Sequence, residues 1–288
     1  MTHQAAWDIL GTHMVSAEKA VRAATFRRLF ILVLFGFSGL SVIAAAHLSS
    51  SHLAGLSSGT PWDAVPWLIL GLGLAIFAFW RIRFRLFWEA IFTLALFLGV
   101  WYLGIATLSL STGLLLASIV VLLPFFVPRI WAHDLFFILG SIGVALNFAL
   151  QFPPELIIVI LAVTALYDIV AARPGGIVAE LAGHLVSRGF VPGLIIPSDL
   201  AFLSSPLSVV GKSEAALLGA GDLILPLILV GQTALSDLSA AGVVFLGMVS
   251  GAWYLTRRPA AAPRAALPPL AIGAGIPFVI FYIFSRLW

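Results

Sequence analysis

Apolar runs about the length of a bilayer crossing follow one another along nearly the whole chain, separated by short stretches where Arg, Lys, Pro and Gly gather. A helix needs roughly 17 to 25 mostly apolar residues to cross the hydrocarbon core, since each residue advances it by about 1.5 Å. Nine such windows predict nine transmembrane helices, near residues 29–48, 64–80, 88–108, 112–128, 132–150, 155–172, 215–236, 238–256 and 267–287. The expected fold class is therefore an all-α polytopic membrane protein.

One connection breaks the rhythm, residues 173–214. Within it Glu180, His184 and Arg188 recur at helical spacing opposite Ile177, Leu181 and Leu185, which predicts a short amphipathic helix. Pro192, Pro197 and Pro206 then enclose Gly193-Leu194-Ile195-Ile196, which predicts a short strand. The chain divides into an N-terminal segment 1–28, helices one to six over 29–172, the loop 173–214, and helices seven to nine over 215–288, together one membrane domain. In the first segment Trp7, Leu10, Met14 and Val21 stand among polar neighbours, a pattern shared by a surface-lying amphipathic helix and a solvated tail.

Composition agrees with the pattern. The chain is 61% hydrophobic and 9% charged, with a mean hydropathy of +1.13, whereas soluble domains carry about a quarter charged residues. The expected location is the cell membrane, as a multi-pass protein. A net charge of +3 does not point to nucleic acid, because the basic residues cluster at span ends. Short loops rich in Lys and Arg stay cytoplasmic. Lys19, Arg22, Arg27 and Arg28, then Arg81, Arg83 and Arg85, then Arg129, then Arg173, Arg188 and Lys212, then Arg257, Arg258 and Arg264 all fall on one side of a nine-span topology. Of 15 basic residues only Arg286 falls opposite. That arrangement places the N-terminus in the cytoplasm and the C-terminus outside. Ala44 and Ala46 make a small-residue site after the first span, yet the 28 residues before it are longer than a signal peptide's basic region, so the span is read as retained.

The absence of Cys excludes disulfides, thiolate metal sites and cysteine nucleophiles. No His-Glu-x-x-His spacing is present, so no metal or other cofactor is expected. What remains is carboxylate chemistry. Of twelve acidic residues, ten lie in loops, in the N-terminal segment or near span ends, where water or headgroups solvate them. Asp168 and Asp222 do not, and an ionisable group inside a span marks a functional site. With span six running inward and span seven outward, Asp168 lies about 6 Å and Asp222 about 10 Å from the same inner surface at 1.5 Å per residue. Two carboxyl groups brought together in low dielectric cannot both ionise readily, so one keeps its proton. The pair is then an acid and a base suited to peptide hydrolysis by activated water. Gly219, Ala220 and Gly221 precede the second acid and remove side chains that would keep a substrate backbone away; small residues also let helices pack in membranes.

These residues resemble the motifs of the presenilin and signal peptide peptidase family of intramembrane aspartyl proteases. Tyr167-Asp168 is similar to the family's YD motif, Gly219-Ala220-Gly221-Asp222 to its GxGD motif, and Ala265-Ala266-Leu267-Pro268 to its PAL motif, with Ala265 standing where the first proline is found. The resemblance spans essentially the whole chain and includes the nine spans. It implies that Asp168 and Asp222 are the catalytic pair and that Tyr167, Gly219, Ala220, Gly221 and residues 265–268 line the site. Pro268 and Pro269 are expected to break the ninth span there and leave backbone groups unpaired. The resemblance also implies substrates that are transmembrane peptides, single-span proteins or signal-peptide remnants in the lipid bilayer, unwound for cleavage and paired to an edge such as residues 193–197. Without the large loop insertion of presenilins, the chain is most similar to the signal peptide peptidase or archaeal presenilin-like branch. It is expected to need no partner subunits, with homo-oligomerisation left open. The alternative is an ion- or proton-coupled transporter or channel, since paired buried acids also serve ion pathways, although the two halves show no internal repeat. A prepilin-type peptidase would explain GxGD and not Tyr167-Asp168. Gly36-Phe37-Ser38-Gly39 resembles the rhomboid serine motif, but His133 stands at a span end and His184 in the loop, leaving Ser38 no base. Those four residues are read as helix packing.

Overall fold

Helix ends in this chain are set by short polar signals between long apolar runs. Ser109 caps one helix by accepting the Thr112 N–H at 3.2 Å, and Asp237 caps another by accepting the Ser239 and Ala240 N–H groups at 2.7 and 3.0 Å. Pro153 and Pro154 open a third, where a missing N–H costs nothing. The computed structural model describes residues 3–52, 85–171, 191–212, 216–257 and 265–287. Its long helices are α1 (His3–His52), α2 (Arg85–Thr107), α3 (Leu110–Phe126), α4 (Ile130–Gln151), α5 (Pro154–Ala171), α6 (Ala220–Ser236), α7 (Leu238–Arg257) and α8 (Leu267–Leu287), and strands β1 (Gly193–Ile196) and β2 (Ala216–Gly219), with short helical turns at Leu200–Leu203 and Leu207–Lys212 between them, lie between α5 and α6. The expected span at 64–80 and the expected amphipathic helix around Glu180, His184 and Arg188 lie outside the described residues.

Five described helices are long and apolar enough to cross a membrane: Ala20–Leu48 within α1, Leu86–Thr107, Ile130–Gln151, Leu238–Arg257 and Leu267–Leu287. Leu110–Phe126 and Ala220–Ser236 are shorter apolar helices. Their outer surfaces expose residues such as Leu86, Leu114, Phe125, Leu246 and Ile276. Water would not tolerate that belt, and lipid does. The chain is a multi-pass membrane protein.

The interior is organised around α6, which packs against α1, α4, α5, α7 and α8. Leu223, Leu227, Leu229 and Val230 on it are wholly buried. Without a hydrophobic driving force between helices in lipid, close contact depends on small residues, and α7 and α8 meet on them. A Cβ added at Gly247 would overlap the Gly273 carbonyl oxygen, and one at Gly251 would overlap that of Pro269. Gly247→Val should therefore lower stability in detergent by about 1 to 3 kcal/mol, read as a lower thermal unfolding midpoint. An unchanged midpoint would mean that the two helices do not pack through this contact. Gly39 and Ser38 are also packing positions: a Cβ at Gly39 would overlap the Phe245 ring on α7, and the buried Ser38 hydroxyl has no hydrogen-bond partner, and hence no base, among the described residues.

Two elements differ from expectation. The seventh span, expected from residue 215, begins as helix only at Ala220, because Ala216–Gly219 is strand and pairs antiparallel with β1 (Gly193 opposite Gly219, Ile196 opposite Ala216). Leu217 and Leu218 carry the hydropathy of a helix, and only the partner strand decides otherwise. The ninth span is not broken by its prolines. Pro268 and Pro269 occupy the first turn of α8, where ring and missing N–H are both tolerated.

Candidate functional site

The end of α5, the starts of α6 and α8, and the β hairpin meet at one end of the bundle. Basic residues mark the same end. Arg129 immediately precedes α4, whose opening turns hold β1, and Arg257 closes α7 beside the start of α8. Arg28 on α1 donates through Nε to the Thr256 carbonyl at 3.0 Å. Arg286 lies at the other end of α8, where its guanidinium binds Glu155 at the start of α5.

Asp168 sits in the last turn of α5 and is half-buried. Its Oδ2 accepts the backbone N–H of Leu267 at 3.0 Å, with the Ala266 backbone beside it. A helix leaves its first N–H groups without internal partners, and α8 directs one of them at this acid. Asp222 is the third residue of α6, and its Oδ2 accepts the Gly219 N–H at 3.2 Å. The carboxylate thus reaches back over the helix start, one half of a capping box. It lies about 3 Å along the helix at 1.5 Å per residue, preceded by strand rather than by helix over residues 216–219. Asp168 is within electrostatic range of Asp222, and α5 and α6 pack together.

The neighbouring motif residues separate by role. A Cβ at Gly221 would meet nothing within 4 Å among the described residues, so packing against them does not explain this glycine. A Cβ at Gly219 would come within 3.1 Å of Asp222 Oδ2. Ala220 opens α6 against the core. Among residues 265–268, the Leu267 side chain is buried in the core while its backbone meets Asp168, and Pro268 lines a cavity; Ala265 lies just before that contact. Tyr167 makes no hydrogen bond with either acid among the described residues: adjacent residues on a helix point about 100° apart, and Tyr167 is 60% exposed.

The cavity, ≈ 560 Å³, runs between α5 and α8 and is lined by apolar residues including Leu161, Ala165, Leu166, Ile169, Pro268 and Ile272. Ile169 and Pro268 flank Asp168 and Leu267 in sequence, so the groove ends at the acid. Its opposite end is tied by Glu155, which accepts from the Tyr282 hydroxyl and from Arg286 Nη2, the latter at 2.7 Å.

The opening turns of α4 hold buried polar groups that hydropathy misses. By sequence His133 and Asp134 are solvated groups at a span end. Asp134 is instead 3% exposed, and His133 beside it is half-buried. Segment 191–212 folds back over the start of α4: Ile130 donates to the Ser205 carbonyl, Leu207 to that of Pro128, and Ile195 packs with Ile130 and Val210. Asp134 Oδ1 accepts the Ile195 N–H at 3.0 Å, and His133 Nε2 donates to the Gly193 carbonyl at 3.0 Å. The only sequence signal is the adjacent pair itself, His133-Asp134, inside an otherwise apolar window.

This architecture is shared with solved structures. A presenilin family intramembrane aspartate protease, solved in space groups C222 and P2, is similar with a TM-score of 0.55 in both, at 22% and 21% sequence identity. The likeness covers 89% of this chain and 99% and 97% of those chains. No protein-family model matches the sequence, and no curated protein matches it. At that identity the likeness establishes the fold, a presenilin-type scaffold of membrane helices.

Proposed function

We propose that the chain is an intramembrane aspartyl protease in which Asp168 and Asp222 activate water for hydrolysis of a peptide bond in a transmembrane segment. What supports this is that the two acids stand on packed helices within electrostatic range of each other, at the end of an apolar groove, with a strand edge beside them that has no partner among the described residues. One carboxylate takes a proton from water as its oxygen attacks the peptide carbon. The other, protonated, donates to the carbonyl oxygen, giving a tetrahedral diol. Collapse of the diol breaks the C–N bond, and the proton taken from water passes to the departing amine. Neither metal nor covalent intermediate is required. The cytoplasmic side is the proposed side of the site, since the basic residues gather at that end.

A helical substrate hides its peptide bonds in its own hydrogen-bond ladder, so it has to be held extended. The edge expected for this, residues 193–197, is closed. With Ile195 N–H directed to Asp134 and Gly193 C=O to His133, the odd positions of β1 face α4, and Leu194 and Ile196 face β2. By the same register, Leu217 on β2 turns its N–H and C=O outward, just before Ala220 opens α6. Strand addition to β2 lays the substrate backbone beside Asp222, while its still-helical part fits the α5–α8 groove.

The test is cleavage of a single-span peptide in proteoliposomes, followed by mass spectrometry, with ion flux measured in parallel. Wild type should give two products, and Asp168→Ala or Asp222→Ala none. Ion flux without cleavage would establish the transporter instead.

A further inference from the structure

Strand β1 is buried at all four positions, yet a strand interior to a membrane protein needs both of its edges satisfied. One edge is β2. The other is supplied by two side chains from a single helix: the Asp134 carboxylate for the Ile195 N–H and the His133 ring for the Gly193 carbonyl. His133 also stacks on Phe137, ring centroids 6.5 Å apart, which fixes the imidazole plane. Asp134 Oδ2 is buried and makes no hydrogen bond among the described residues. A carboxyl group kept out of water for a single backbone contact is a costly way to tie down a strand. A leucine would pack as well in an apolar core and leave only one N–H unpaired.

We propose that Asp134, with His133, is a positioning residue for the reaction: it fixes the register of the β hairpin against α4 and thereby sets which substrate peptide bond is presented to Asp168 and Asp222. This rests on the proposed protease activity. The chain of contacts is continuous. Asp134 and His133 hold β1 at alternate residues, the antiparallel pairing transmits that register to β2 with Gly193 opposite Gly219, and Gly219 is bonded to Asp222. A Cβ at Gly193 would overlap the Leu218 carbonyl oxygen, so the two strands approach without slack. In a strand a slip of one residue reverses every side chain and every outward-facing backbone group. With β1 released from α4, the β1–β2 pairing is free to slip by one residue, which turns Leu218 outward in place of Leu217, and the scissile bond moves with it.

Two readouts separate positioning from simple structural support: the cleavage position and the split between KM and kcat. Asp134→Ala, in detergent-purified full chain, should raise KM for a transmembrane peptide about tenfold and spread cleavage over neighbouring bonds. Asp134→Asn, whose Oδ1 still accepts from Ile195, should restore a single wild-type cut with KM within about threefold. His133→Phe keeps the ring stacked on Phe137 and removes the donor, and it should spread the cut in the same way even if Asp134→Ala does not fold. Cleavage by folded Asp134→Ala or His133→Phe at the wild-type bond alone, with wild-type KM, overturns the proposal. So does loss of rate in proportion to folded fraction with the cut unmoved. Failure of the wild-type protein to cleave at all would instead overturn the protease reading on which this rests.

Discussion

Asp168→Asn and Asp222→Asn should each reduce cleavage of a transmembrane peptide by at least about 10³-fold, and the double variant should fall no further. The asparagine amide keeps the size of the side chain and an oxygen that accepts a hydrogen bond. The Leu267 N–H against residue 168 and the Gly219 N–H against residue 222 therefore stay paired. What is lost is the exchangeable proton. In the proposed mechanism the two acids act as one unit, one holding a proton while the other takes one, so removing either removes the whole mechanism. Thermal unfolding midpoints within a few degrees of wild type would show that the fold survived. Residual activity of several per cent in either variant, with the fold intact, would mean that the dyad is not the catalyst.

The second large effect concerns the open strand edge. Leu217→Pro should lower kcat/KM for a transmembrane peptide by about 10- to 100-fold while leaving the folded protein nearly as stable as wild type. Proline is tolerated on an edge strand when its missing N–H faced away from the sheet, and it biases the preceding Ala216 to the extended backbone that β2 already has. Leu217→Ala, which trims the same side chain and keeps the N–H, should stay within about threefold. If the two variants behave alike, the substrate does not add to β2, and the loss belongs to the leucine side chain.

Much of the site was legible before any tertiary contact was known. Asp168 and Asp222 stood out because almost nothing else charged lies inside an apolar window, and carboxylates are expensive there. The same reasoning hid Asp134. At the end of a span a carboxylate is expected to reach water, and only the return of residues 191–212 over the start of α4 removes that water. Tyr167, next to Asp168 in sequence, is 60% exposed, and a helix turns about 100° per residue, so adjacency in sequence does not by itself bring a side chain to the acids.

The amino-acid sequence by itself determined the class of molecule, a multi-pass helical membrane protein, and the approximate limits of most of its helices. Hydropathy over some twenty residues is a local property that lipid reads directly, since every backbone group has to be satisfied within its own segment. The sequence also supplied the strand at Gly193–Ile196, through its bounding prolines. The tertiary structure decided what depends on partners. It drew Ala216–Gly219 out of the expected helix into a sheet, set the Leu267 N–H on Asp168, closed β1 with Asp134 and His133, and left the outer edge of β2 without a partner among the described residues. None of these follows from one segment, because a hydrogen bond between residues 61 or 99 positions apart exists only once the helices between them have packed.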